Sequence, residues 1–518
     1  MSTVKPAAAA PVYLQGLPLI LLSVAVAVAT FMEVLDTAIA NVAVPTIAGD
    51  LAASASQGTW VISSYGLAAA IAVPLTGWIA KRFGEVRVFV TSVLLFTAAS
   101  ALCGLAHSLP MLVFFRFIQG LVSGPMVPLS QTLLLSNYPP ARRGTALALW
   151  SMTVVVAPIC GPLLGGFITD NLTWPWIFYI NVPIGLVAAI VSWSLMRGRE
   201  SATLKLPIDV VGLVLLIIGV GCLQLMLDNG NDLDWFGSPV IVSLAIAAAV
   251  ALSFFVAWEL TEENPIVDLS LLSQLNFGVG VVVLSFGFMT FFAMNVMFPL
   301  WLQTVMGYTA TWAGLATAPV GVLALILSPW VGRSVGRVDL RVLASIAFIV
   351  FSITTWWFSS FNMETPFSLM VLPRILQGAA IACFFIPVNS IIISGVSPDR
   401  MAAASGLSNF FRTLSGSFGT ALVVMVWDDR MRFHRVRLLE YFSQSGTAYL
   451  DYIRQLAHAG VHGAMAQQSV LELISSQSYM MATSEVFRLA SCIFLSLITV
   501  LWLTRPPRSQ ALRGGGGH

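Results

Sequence analysis

Seven ionisable residues fall inside or at the edge of long apolar stretches: Glu33, Asp36, Arg116, Arg374, Arg412, Glu485 and Arg488. Charge in hydrocarbon is costly, so such groups face the interior of a helix bundle and mark ion or substrate pathways. Glu33 and Asp36 stand three apart, which puts both on one face of a helix, and Asn41 extends the polar stripe. Desolvation raises a carboxyl's proton affinity and a neighbouring guanidinium lowers it, so an acid beside an arginine is poised to load and release a proton. Asp36, Glu33 and Arg116 are therefore the expected proton-coupling residues. The plain alternative is a fixed ion pair of Arg116 with Asp36 or Glu33 that only holds helices together. Arg374 and Arg412 have no intramembrane acid in their own half except Glu485 near a span end. They need backbone carbonyls, a wet cavity or a partner across the interface.

Membrane helices must position these groups. With 58% hydrophobic and 9% charged residues and a mean hydropathy of +0.88, the chain has too little polar surface to cover a water-soluble globule. Apolar windows of about 20 residues, enough for a span, alternate with polar punctuation at Lys81-Arg82, Pro139 to Arg143, Arg197 to Lys205, Glu259 to Asp268, Arg333 to Arg341 and Ser397 to Arg400. The pattern predicts an all-α polytopic membrane protein with fourteen spans. A cytoplasmic N-terminus (1–16) precedes a six-helix bundle (17–196), a linker (197–206), two extra helices (207–258), an acidic linker (259–275), a second six-helix bundle (276–504) and a tail (505–518). Lys and Arg of the short loops all fall on one side, and the loops opposite carry only acids such as Asp50, Asp170 and Asp228, so both termini are expected in the cytoplasm. The segment 428–484, between the last two spans, is expected outside. Its apolar spacing suggests short amphipathic helices.

The two bundles look like copies. Arg116-Phe117-Ile118-Gln119-Gly120 returns as Arg374-Ile375-Leu376-Gln377-Gly378, an offset of 258 (116 to 374) that also carries Pro140, Arg142 and Gly161 onto Pro398, Arg400 and Gly419. Trp60, Trp78 and Gly84 recur as Trp312, Trp330 and Gly336. Such repeats place a binding site at their interface near the bilayer midplane. Two helices between them is an even number, which makes the repeat parallel. Within the fifth span, Pro158, Gly161, Pro162, Gly165 and Gly166 predict a bent helix packed closely on its neighbours. Gly77, Arg82 and Gly84 mark a tight basic loop, read either as a topology anchor or as a conformational latch.

These residues carry a family resemblance. Leu35-Asp36-Thr37-Ala38-Ile39-Ala40-Asn41 resembles the first-helix signature of the fourteen-span drug/proton antiporters of the major facilitator superfamily, Arg116 to Gly120 their fourth-helix motif, and Ala157 to Gly166 their fifth-helix antiporter motif. The run from Asn137 through Gly185, the stretch Leu227 to Leu271 and the Gly-rich tail are similar to the EmrB-type multidrug efflux permeases. The resemblance implies a proton-coupled exporter of hydrophobic compounds in a Gram-negative inner membrane, working with a periplasmic adaptor and an outer-membrane channel. It links Asp36 and Arg116 to proton coupling, and Gly161, Pro162 and Gly166 to exchange. Lys81 and Glu85 depart from the superfamily's loop, which has an acid and a base there, and this weakens a latch built on that acid.

The expected substrate cavity is lined by Asn41, Gln119, Asn295, Arg374, Gln377, Asn389, Phe292 and Phe384, and suits hydrophobic compounds, including anions that pair with Arg116 or Arg374. No cofactor is expected, since the proton gradient drives the carrier. The lysines Lys5, Lys81 and Lys205 lack the preceding glycine of a phosphate loop. Every histidine lies outside the spans, which argues against a membrane-embedded enzyme. His458 and His462 have helical metal spacing but no acidic third ligand nearby, so no metal is expected. No nucleic-acid partner is expected either. The other readings are a proton-coupled importer, which the fifth-helix motif disfavours, and a receptor or assembly scaffold built on a carrier fold.

Overall fold

The computed structural model describes residues 14–138, 143–200, 203, 207–230, 232–263, 265–334, 338–397, 400–441, 447–458 and 462–506. Pro140, Arg142, Lys205, Gly336, Pro398 and the Gly-rich tail lie outside the described residues, as does the side chain of Pro158. The first half comprises α1 (Leu17–Asp50), α2 (Ala55–Gly58), α3 (Trp60–Phe83), α4 (Glu85–Gly104), α5 (Leu109–Ser123), α6 (Met126–Asn137), α7 (Arg143–Asn171), α8 (Trp176–Tyr179) and α9 (Asn181–Met196). Then come α10 (Val210–Asn229) and α11 (Pro239–Glu259). The second half holds α12 (Leu275–Thr304), α13 (Ala310–Thr317), α14 (Val320–Ser334), α15 (Leu340–Phe358), α16 (Phe367–Ile393), α17 (Met401–Tyr441), α18 (Thr447–His458) and α19 (Ala464–Leu501).

Among the described residues, 13 helices are long and apolar enough to cross a membrane, and α7 is a further helix of 29 residues. Helices are the form in which a span satisfies every backbone group within itself. Proline marks several breaks: α5 gives way to α6 at Gly124-Pro125, and α13 to α14 at Ala318-Pro319. The second-half core is aromatic, with Phe351 and Phe494 stacked at 4.8 Å and Phe384 edge-on to Phe348.

The repeat is visible in backbone approach. A Cβ on Gly120 would stand 2.3 Å from the Tyr65 carbonyl oxygen, and one on its mate Gly378 would stand 2.1 Å from that of Val320. Each glycine lets the helix of its Arg-x-x-Gln-Gly motif lie directly on a neighbour, α5 on α3 and α16 on α14. Gly161 meets Ala38 of α1, and its mate Gly419 meets Met289 of α12.

Two regions differ from the expectation. The chain does not enter a loop at Asp428, because α17 runs on to Tyr441 and α19 begins at Ala464, so two spans extend as long helices with α18 near their tips. Arg430 donates to Glu485 at 2.5 Å, His434 lies 3.1 Å from the same carboxylate, and the Trp427 indole donates to Thr483 at 2.9 Å. These ties bind the two helices together and occupy Glu485, which therefore serves neither Arg374 nor Arg412. The basic loop also has a partner the sequence reading missed. Gly84 adopts φ 95° between α3 and α4, and the Glu200 carboxylate fits against it, accepting from the Val86 N–H at 2.9 Å and the Arg87 N–H at 3.2 Å. An acid from the linker thus caps the positive end of α4. Arg82 stacks on Trp78 at 5.5 Å, while Gly77 is exposed with open space around it.

Candidate functional site

Asp36 is 2% exposed and Arg116 fully buried, and the Arg116 guanidinium donates directly to the Asp36 carboxylate. Around this pair the first half builds a hydrogen-bond shell that leaves one Arg116 Nη and the Asn181 amide oxygen without partners among the described residues. Arg116 also donates to the Gln119 amide oxygen at 2.7 Å and to the Val61 carbonyl at 3.0 Å. Asp36 accepts from Asn181 at 2.7 Å and Gln119 at 3.2 Å, and both amides reach the Ser100 hydroxyl, which donates to the Phe178 carbonyl. Tyr65 lies under the guanidinium at 4.4 Å. Five helices therefore converge on one carboxylate. Asn181 and Ser100 are the members that sequence reasoning missed; an asparagine at the head of the apolar run 180–196 was the available signal.

Glu33 does not share this site. Its helix face is that of Ala40 and Val44, which pack against Phe292 and Val296 of α12, so Glu33 points toward the seam between halves. One Glu33 carboxylate oxygen is buried without a hydrogen-bond partner. The 60° separation implied by a spacing of three is enough to send the two acids to different neighbours.

The second-half copy has no acid. Arg374, 1% exposed, donates to Gln377 at 2.8 Å and to Asn295 at 3.4 Å, with Phe298 beneath it at 4.4 Å. Asn295 takes the acceptor place beside Arg374 that Asp36 takes beside Arg116, one residue beyond the 258 offset that relates the two arginines.

The eight expected substrate residues do not form one wall. Gln119 is consumed by the Asp36 shell, and Arg374 and Gln377 by each other. Phe384 is fully buried in the aromatic core, and Asn389 is exposed, bonded to its own helix at Phe385. Asn41 is buried on the seam with its amide oxygen unpartnered, whereas Phe292 and Asn295 are half-buried there.

The seam is sealed at the end carrying Asp50, Asp170 and Asp228. Gly166 of α7 lies 2.4 Å, measured from a notional Cβ, from the Ala310 carbonyl oxygen, and Gly314 reciprocally abuts the Pro162 carbonyl. Asp170 accepts from the backbone N–H groups of Ala310 and Thr311 and so caps α13. On the opposite flank Ser417 donates to the Ser63 carbonyl at 2.8 Å, and the extra helix α10 joins in. Asp228 accepts from Ser63 at 3.0 Å, and Gln224 accepts from Ser417 at 3.1 Å. Gln303 donates to the Val42 carbonyl. Toward the basic end the burial along these helices loosens. Residues 39–44 of α1, 296–302 of α12 and 415–417 of α17 are buried, whereas Glu33 and Thr37, Phe288 and Phe291, and Arg412 and Thr413 are half-buried. The halves thus meet in a plug at one end and are less fully buried against each other toward the other end.

This two-bundle seam with a buried carboxylate in one copy is a carrier architecture, and the Major Facilitator Superfamily pattern matches residues 26–420. The chain belongs to the Major Facilitator Superfamily. It is a multi-pass membrane transporter, not an enzyme. It is 49% identical over 506 residues to the multidrug export protein EmrB of Escherichia coli strain K12, covering 98% of this chain and 99% of that one. It is 45% identical over 505 residues to the fatty acid resistance protein FarB of Neisseria gonorrhoeae, at 98% and 99% coverage. A crystal structure of a D-xylose-proton symporter superposes with a TM-score of 0.61 over 94% of this chain and 98% of that one, at 15% identity, and shows the fold alone.

Proposed function

We propose that this protein is a proton-coupled multidrug efflux antiporter that exports hydrophobic compounds across a bacterial inner membrane by alternating access. The observation that carries this reading is the Asp36–Arg116 pair, sealed inside the first half on a helix whose other face lines the seam. An ionised Asp36 holds Arg116 and draws α1, α5 and α9 together; a proton on Asp36 cancels the pair and leaves Arg116 to its carbonyl and amide acceptors. Because α1 also packs on α12 through Ala40 and Val44, a change of charge at Asp36 acts on the contact that must open and close. Basic loops on the cytoplasmic side put the plug toward the periplasm and the less buried end of the seam toward the cytoplasm, which suits a drug-loading state with both termini inside.

The likeness to EmrB and FarB supports export of drug-like and fatty compounds and favours it over import. A tripartite pump with a periplasmic adaptor and an outer-membrane channel, which the sequence resemblance implies, is part of the same proposal. The extended tips of α17 and α19 with α18 are the proposed docking surface for the adaptor. Deleting 442–477 is expected to abolish adaptor copurification while leaving transport by the isolated carrier intact; retained copurification contradicts docking there.

The test of antiport is transport in proteoliposomes. An imposed pH gradient is expected to drive accumulation of a hydrophobic dye by the parent, with dye-dependent proton movement in the opposite direction. Dye movement indifferent to the gradient contradicts it, and co-directional movement selects the importer.

A further inference from the structure

The three intramembrane arginines with mapped surroundings differ in what is left of their charge. Arg116 is paired with Asp36, and Arg374 spends two of its nitrogens on Gln377 and Asn295. Arg412 on α17 is half-buried, reaches only the Asn409 amide oxygen at 3.3 and 3.2 Å, and forms no ion pair among the described residues. Its guanidinium lies over the Phe288 ring at 5.3 Å. That ring is the start of a platform: Phe288 stacks on Phe292 at 5.6 Å and meets Phe291 and Phe385 at 6.2 and 5.9 Å. One turn along α17, Gly416 fits against Phe288 and Phe292, and Ser417 begins the plug. Arg412 thus stands one turn from the plug, on the half-buried stretch of the seam.

Glu33 occupies the facing wall. It is two turns from Ala40, which meets Phe292, the ring stacked on the Phe288 that lies under Arg412, and no ion pair joins the two charges among the described residues. A cation and an anion held apart in a low-dielectric seam, each short of partners, attract a ligand charge strongly. A guanidinium offers the paired donors that a carboxylate or phenolate takes.

We propose that Arg412 recognises the head group of an amphipathic monoanion whose apolar body lies on Phe288 and Phe292, and that Glu33 is the internal carboxylate competing with that anion. This deepens the efflux reading, on which the identity of the ligand as cargo rests. It also moves anion recognition from Arg116, which is paired with Asp36, and Arg374, which is buried against Gln377 and Phe298, to a residue outside the expected set.

The test is binding to purified protein of 2-naphthoate and its neutral isostere 2-naphthamide. The parent is expected to prefer the acid by about tenfold or more. Arg412→Gln is expected to remove that preference while holding the amide within about twofold, the amide serving as the readout of a folded carrier. Glu33→Gln is expected to tighten the acid and leave the amide unchanged. Equal binding of acid and amide by the parent overturns the proposal, as does a preference that survives Arg412→Gln. Should Arg412→Gln fail to fold, an acid preference unchanged or weakened in Glu33→Gln overturns it alone. Dodecanoate is the second arm: Arg412-dependent binding of dodecanoate but not of naphthoate refutes the aromatic platform and assigns a fatty anion. A protein that shows the preference yet moves no dye in proteoliposomes fails the efflux reading and leaves the Arg412 assignment standing.

Discussion

The Arg116 and Arg374 sites are one motif solved twice. Each has an arginine bonded to the glutamine three residues on, at 2.7 and 2.8 Å, an aromatic ring under the guanidinium at 4.4 Å, and a glycine that admits a neighbouring carbonyl. They differ at the acceptor, Asp36 in the first half and Asn295 in the second. A carboxylate makes the first arginine half of a charge pair that a proton can dissolve, whereas an amide leaves the second a permanent cation compensated only by dipoles and a ring face. The two halves share the scaffold, and the acid-for-amide difference gives a carboxylate partner to Arg116 but not to Arg374.

Substitutions that erase the difference should have the largest effect. Asp36→Asn makes the first site resemble the second, and drug-dependent proton movement in proteoliposomes is expected to fall to background, a loss of roughly 100-fold or more if Asp36 is the relay. Drug binding is retained. Arginine removal should separate the sites next. Arg116→Met strands a buried carboxylate and is expected to cost about 3–5 kcal/mol in denaturation, whereas Arg374→Met strands no charge and should cost about 1 kcal/mol or stabilise. Equal losses would mean that the Asp36 pair is no more coupled to stability than the amide contact.

Where the copies agree, the comparison predicts equality. Gly120→Ala and Gly378→Ala both drive a methyl into a backbone oxygen, so each should destabilise by about 1–3 kcal/mol, measured as a shift in Tm. The smallest effects belong at the basic end, where Glu200 caps α4 and Asp339 caps α15. Hydrogen bonds from Arg341 hold the Asp339 carboxyl below the usual range against the opposing pull of burial. A depressed carboxyl stabilises above its unfolded value near pH 4 and loses that contribution as pH falls through the lower folded value. Asp339→Asn should therefore lower Tm by only a few degrees at pH 7, with the gap from the parent closing in strong acid.

The membrane class, the repeat and the Asp36–Arg116 site were legible because they rest on residue types that hydrocarbon excludes. A charge among apolar residues announces itself, as does an Arg-x-x-Gln-Gly that recurs. Asn181 and Ser100 were not legible, since Ser and Asn are common in these helices and only helix rotation decides which side chains meet Asp36. The same holds for Gln224, Asp228, Ser63 and Ser417, which tie the extra helix α10 into the plug across sequence separations of 165 and 193 residues. Glu33 and Asp36 show the limit of spacing arguments: one face of a helix is wide enough to serve two neighbours. Arg412 was visible as a charge, but its role depends on Phe288 and Glu33 standing opposite, which the pattern alone does not fix.

The most direct measurement is proton release on drug binding to purified protein in weakly buffered detergent, comparing the parent with Asp36→Asn. The parent is expected to release protons on binding a hydrophobic drug, and Asp36→Asn to bind the drug without releasing any. Undiminished release from Asp36→Asn would contradict this and return the Asp36–Arg116 pair to a purely structural role.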